Sequence, residues 1–139
     1  MANNEFLIIL GNQLLPIDYI KKTKIKKIFM SEDYGLGIKH KHHKLKILMF
    51  FLAMRQYKDD LIKNGYEVYY HSIEDNDFKD TFEKKIYKFI KKYNLNSIKY
   101  FEIEDHFFEC QFHSFIKKIK INYEVLNSPM FLSSRLEFK

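Results

Sequence analysis

An apolar run from Glu5 to Leu10 stops at a glycine and two amides, Gly11, Asn12 and Gln13. A second apolar run ends in Ser31, Glu32, Asp33 and Tyr34, and a third leads to Glu102, Glu104, Asp105 and His106. If these runs are parallel strands, the residues that follow them gather along one edge of one sheet. Ligands of doubly wound sheets bind there, where the connecting loops diverge. The residue types select the ligand. Amides donate and accept along the edge of a heterocycle, and carboxylates accept from sugar hydroxyls. Phosphate is disfavoured: LGNQL holds one glycine, neither GxGxxG nor GxxxxGK[ST] occurs, and acids repel an anion. A flat polar ring with a polyhydroxyl tail suits the set best.

Other chemistries are poorly supported. His40, His42, His43, His71, His106 and His113 show no His-x3-His or HExxH spacing, so no metal is expected. No serine lies in a G-x-S-x-G elbow. Cys110 stands among aromatic residues and is expected to be a structural thiol; as the single cysteine it permits no disulfide and no thiolate metal site within the chain. The segment 31–43, SEDYGLGIKHKHH, reads as a long loop that Gly35 and Gly37 allow to fold back over the crevice.

The elements that must position these residues alternate between strand and helix, the pattern of an α/β fold with a parallel sheet. Strands are expected at 5–10, 25–30, 66–72, 97–104 and 122–128. A long helix follows His43 and stops at Gly65, where a left-handed turn is available. Phe78, Phe82, Ile86, Ile90 and Tyr93 mark the apolar stripe of a second helix, and Phe108, Phe112, Phe115 and Ile119 that of a third over 107–119. Five strands with right-handed crossovers make a three-layer, Rossmann-like (flavodoxin-like) domain.

Two segments fit a small isolated domain badly. Ile47–Met54, ILMFFLAM, is apolar around the whole helix and should be covered on both sides. Met130, Phe131, Leu132 and Phe138 follow the last strand with nothing evident to bury them, as expected of the front part of a longer protein. At 139 residues the chain can build one core. Its net charge of +6 comes from 22 lysines and two arginines, beside 17 isoleucines, two valines and two alanines. That skew reads as coding bias more than a phosphate-reading surface, which would favour arginine. No secretory start and no run of membrane-spanning length occur, so a cytoplasmic location with no membrane partner is expected.

Several linked motifs now come together: Gly11-Asn12-Gln13-Leu14, Glu32-Asp33, His43-Lys44-Leu45-Lys46-Ile47, Ala53-Met54-Arg55-Gln56-Tyr57 and the terminal SPMFLSSR. In order and spacing they resemble the N-terminal domain of the cryptochrome and photolyase-related proteins, in the branch that includes the bacterial iron–sulfur (6-4) photolyases. The resemblance implies that residues 1–128 form an antenna-binding α/β domain and that 129–139 begin a linker to a helical domain. That second domain would carry FAD and an iron–sulfur cluster, and damaged DNA would be reached only through it. Some members hold 6,7-dimethyl-8-ribityllumazine between the two domains. By resemblance, Gly11, Asn12, Gln13, Glu32, Asp33, Tyr34 and Glu104 are expected at the cofactor, and His43, Lys44 and Met54 at the domain seam. Where some relatives carry Asp in G-D-Q-L, this chain has Asn12, which weakens the case for lumazine in particular. The function implied is light collection for light-dependent DNA repair, with no catalytic residue in this part. The alternatives are a free-standing flavodoxin-like or response-regulator-like binding module and a small nucleotide-using enzyme.

Overall fold

The computed structural model describes residues 4–38, 41–133 and 137; Lys39, His40, Arg135 and Phe138 lie outside the described residues. Five strands, β1 (Glu5–Ile8), β2 (Lys27–Ser31), β3 (Glu67–His71), β4 (Ser97–Phe101) and β5 (Asn122–Leu126), form one sheet in the order β3-β2-β1-β4-β5. Every pairing is parallel. The strand order reverses between β1 and β4, which pair from Glu5 with Ser97 to Ile8 with Tyr100. This is the three-layer α/β architecture read from the sequence.

The three inner strands, β1, β2 and β4, are largely buried on both faces, so their successive side chains feed two cores. Phe6, Ile8 and Phe29 enter the first with Ile86, Phe89, Phe112 and Ile116, from α4 (Phe82–Tyr93) and α5 (His106–Ile119). Leu7, Ile9, Ile28 and Met30 enter the second with Ile20, Met54 and Leu61, from α1 (Ile17–Lys22) and α3 (Lys44–Lys63). Each such aliphatic or aromatic side chain contributes about 1.5–3 kcal/mol on burial.

Local signals set the helix ends. The Thr81 hydroxyl accepts from the Lys84 N–H, so α4 begins at Phe82 and Phe78 lies outside it, edge-on to Tyr34. The Asp105 carboxylate accepts from the Phe108 N–H and starts α5. Gly65, at φ +82°, turns the chain out of α3, and the Tyr66 N–H closes on the Leu61 carbonyl at 3.1 Å.

Two helices escape the sequence reading. The segment after β1 contains α1, a six-residue helix with Asp18 in its first turn and Lys21 and Lys22 in its last. The segment read as a loop contains α2 (Tyr34–Ile38), which helix propensity disfavours at both glycines.

The expectation that α3 is covered twice is met on one side only. Met54 and Leu61 face the sheet, whereas Leu45, Leu48, Met49 and Leu52 are all at least half exposed. Met130 and Leu132 are exposed too. No helix among the described residues is long and apolar enough to cross a membrane.

Candidate functional site

A crevice of about 270 Å³ opens at the carboxyl ends of β2, β1 and β4, on the switch point. Gly11 and Asn12 form its β1 side, Ser31 and Asp33 its β2 side, and Ile103 and Asp105 its β4 side. Phe50 and Met54 of α3, Phe82 of α4 and Phe108 of α5 make it largely apolar below these polar groups. His42 reaches it from the approach to α3.

The glycine at the strand end has a steric cause. A Cβ on Gly11 would stand 2.6 Å from Phe50 Cε1 and 2.8 Å from Met54 Sδ, so any other residue here would displace the two α3 side chains that wall the crevice. Asn12 is exposed beside it and free to meet a ligand. The Asp33 carboxylate accepts from the Gly35 N–H at 3.0 Å, which fixes the start of α2, and still borders the crevice.

Glu32 does not line the crevice. Its side chain is fully buried and filled with donors: Arg55 Nε at 2.6 Å and Nη2 at 3.1 Å, the Tyr70 hydroxyl at 2.7 Å and the Ile73 N–H at 2.8 Å. The Glu32 contact raises the Arg55 pKa above its ordinary value, despite partial desolvation. Burial, and then the bond to Glu32, raise that of Tyr70. From α4, the Lys85 ammonium is buried and donates to the main-chain carbonyl of Glu32 at 3.1 Å. Burial lowers its pKa, and Asp33 with Asp77, Asp80 and Asp75 opposes that shift. The residue expected to bind the ligand is therefore the anchor of the crevice wall.

Gln13 is also internal. It is fully buried, and its amide nitrogen donates to the Glu102 carbonyl at 2.9 Å, tying the end of β1 to the end of β4. The Glu102 carboxylate accepts in turn from the Ser128 N–H. Tyr34 packs on Phe78, and Glu104 is exposed away from the crevice. Of the residues expected around a ligand, the structure brings together Gly11, Asn12 and Asp33 and sets Gln13, Glu32, Tyr34 and Glu104 apart.

At the expected seam, His43 and Lys44 are exposed; His43 Nδ1 accepts from the Leu45 N–H as the N-cap of α3. Met54 is 1% exposed and forms part of the crevice and the core, because it lies on the inner face of α3. Cys110 is exposed, not structural, since α5 turns Phe108, Phe112 and Ile116 toward the sheet and leaves Cys110 outside.

Sequence reasoning missed Arg55 and Lys85 as partners of Glu32 and Phe50 as a crevice wall. Arg55, one of only two arginines in a chain with 22 lysines, was a usable signal for the first. Nothing local distinguishes Lys85 from the other lysines of α4. A wider groove of about 970 Å³ lies at the opposite pole, between the ends of α4 and α5. Lys91, Lys118 and Lys120 line it at helix C-termini, where lysines complement the helix dipole.

The fold and the crevice together define a doubly wound α/β domain with a crevice at its switch point. The sequence profile of the deoxyribodipyrimidine photo-lyase-related proteins matches residues 7–139, and the chain belongs to that family. A relative named (6-4) photolyase, from Agrobacterium fabrum (strain C58 / ATCC 33970), is 28% identical over 143 residues. The alignment covers 98% of this chain and 27% of the relative, so the chain spans about a quarter of that protein's length.

Proposed function

We propose that this α/β unit is the antenna domain of a light-dependent DNA-repair flavoprotein or a related cryptochrome. It holds a ring chromophore in the crevice and docks through α3 on a helical domain. The observation that carries the reading is the crevice itself: Asn12, Asp33 and Asp105 stand over an apolar floor at the switch point of a photolyase-related fold. Its volume is near the lower end of small-molecule sites, roughly 300 Å³. That suits a bicyclic ring such as the lumazine, with the ribityl tail extending toward the opening. Asp33 and Asp105 would accept from tail hydroxyls, and Asn12 would face the ring edge. Bound there, the chromophore would supply light absorption and resonance transfer to an FAD in the helical domain; the residues of this chain bind and orient it and carry no bond chemistry. The linker beginning at 129 leads toward that domain, which would also hold the iron–sulfur cluster and meet damaged DNA. The exposed Leu45, Leu48, Met49 and Leu52 on α3 support a partner packed on that face.

The test is a fluorescence titration of the chain with 6,7-dimethyl-8-ribityllumazine and with FMN, alone and mixed with the remaining helical part of the Agrobacterium relative. Saturable lumazine binding is expected, stronger in the mixture. Asn12→Ala should weaken it about tenfold, the effect of one lost hydrogen bond. Replacing Leu48, Met49 and Leu52 with serine should abolish the gain from mixing while leaving the chain's own unfolding midpoint in place. No binding of either ring in both settings would overturn the antenna reading.

A further inference from the structure

The groove at the pole opposite the crevice carries an unbalanced charge. Lys91, Lys118 and Lys120 line it, all three are exposed, and none of its lining residues is acidic among the described residues. Other lysines are matched: Lys84 and Lys88 share Asp80, and Lys99 holds Glu124 at 2.8 Å. The three groove lysines have no carboxylate partner among the described residues. Coding bias supplies lysines but does not cluster them unpaired around one groove. Helix dipoles offset part of the charge. The C-termini of α4 and α5 end here, each equivalent to about half a negative charge, which leaves about two of the three positive charges uncompensated.

The backbone points the same way. A left-handed helix end favours glycine or asparagine. Asn94, at φ 49°, closes α4 by that rule, whereas Lys120, at φ 54°, closes α5 against it. Lys24 does the same at φ 59° just past α1, at the same pole. A charged side chain is thus kept where a small one fits better, and strained residues of this kind collect where a ligand is held.

We propose that this groove binds single-stranded nucleic acid, with the three lysines on successive phosphates and with Tyr87, Asn94, Asn96 and Asn122 meeting the bases. Tyr87 is 42% exposed on the α4 wall, and the Lys91 ammonium lies 5.5 Å from its ring centre, so a stacked base and its phosphate find partners side by side. Basic grooves with an aromatic platform hold single strands in this way, with little regard to sequence. The amides donate and accept along any base edge. A duplex fits less well, because its bases stay stacked inside and leave Tyr87 without a partner. A lipid surface also fits less well: the aliphatic side chains of the groove are buried or half-buried beneath the lysines and cannot insert among acyl chains. No residue of the groove lines the crevice, so this site stands apart from the antenna reading.

The test is fluorescence anisotropy of short labelled oligothymidylate and oligouridylate, titrated with the chain at several salt concentrations. A duplex of the same length and co-sedimentation with phosphatidylserine vesicles run beside it. Saturable binding to the single strands is expected, with a slope of log affinity against log salt of about −2, the value for three phosphates on a single strand. Replacing Lys91, Lys118 and Lys120 with glutamine should bring the slope near zero and lower the affinity at least about tenfold at low salt. Glutamine at Lys41, Lys44 and Lys46 makes the same change in net charge at the other pole and should cost less than about twofold. Tyr87→Leu should weaken binding about fivefold or more and leave the slope unchanged. Lys120→Gly supplies the residue that the left-handed end favours, so it should raise Tm while reducing the slope by about 0.7, which separates a lost contact from lost folding. Equal losses from the two triple variants, tighter binding to the duplex or the vesicles than to the strands, or no binding at low salt would each overturn the proposal.

Discussion

Replacing Arg55 with methionine keeps a long side chain on α3 but strands a carboxylate. Glu32 is fully buried and would retain only the Tyr70 hydroxyl and the Ile73 N–H of its present donors. Breaking a buried ion pair from one side costs about 3–5 kcal/mol, whereas an exposed pair contributes about 0–1 kcal/mol. The Arg55 side chain is 35% exposed and Glu32 is not exposed at all, so the loss falls at the low end of the buried range, about 3 kcal/mol. With a urea slope of about 1.5–2 kcal/mol/M, the unfolding midpoint should fall by about 1.5–2 M. Urea titration followed by circular dichroism measures this directly. The double variant Glu32→Met with Arg55→Met removes the stranded charge and should recover a substantial part of the loss. A single variant within about 0.3 M of wild type would show that the pair does not hold the crevice wall, at the slope just given. A double variant as unstable as the two single losses combined would show that the cost is not that of an unpaired carboxylate.

Two further outcomes follow from local geometry. Gly11→Ala forces Phe50 and Met54 to move, and overpacking of this kind costs about 1–3 kcal/mol, or roughly 3–10 °C in Tm; an unchanged Tm would refute the close approach of α3 to β1. Bonds from Lys88 and Lys84 hold the Asp80 carboxyl down at about 2, against 3.8 ordinarily. Because the folded value is depressed, its stabilisation is complete above the ordinary value and disappears as pH falls toward 2. Asp80→Asn should therefore be less stable than wild type at about pH 5 and equal to it at the acid end of that window. A carboxyl NMR titration showing Asp80 at its ordinary value would contradict this.

The sheet was legible because its signal is redundant. Short apolar runs flanked by polar or turn residues fit strands buried on both faces better than helices, and their spacing left room for crossover helices. The short helices were not legible: α1 lacks the length for a periodic pattern, and α2 carries two glycines within five residues. At the site, topology placed the right strand ends together, but polarity alone could not say which polar side chain faces outward. Asn12 and Gln13 are adjacent amides, yet one is exposed on the crevice and the other crosses to the Glu102 carbonyl. Glu32 and Asp33 divide in the same way. Both pairs lie just past a strand end, where the chain turns, and the member turned inward becomes structural because an arginine or a carbonyl waits there. The second apolar face of α3 was legible as an excess of hydrophobic residues.

The position of β1 in the middle of the sheet also governs how the molecule can be made. Its Glu5–Ile8 segment pairs on one side with β2 and on the other with β4, whose residues leave the ribosome about 90 positions later. At the usual elongation speeds of about 5–20 residues per second, the interval is roughly 5–20 s. Throughout that time Phe6, Leu7, Ile8 and Ile9, each almost wholly buried in the finished fold, lack half of their partners. A product stalled before Phe101 would therefore leave these side chains and one edge of β1 uncovered, which favours aggregation.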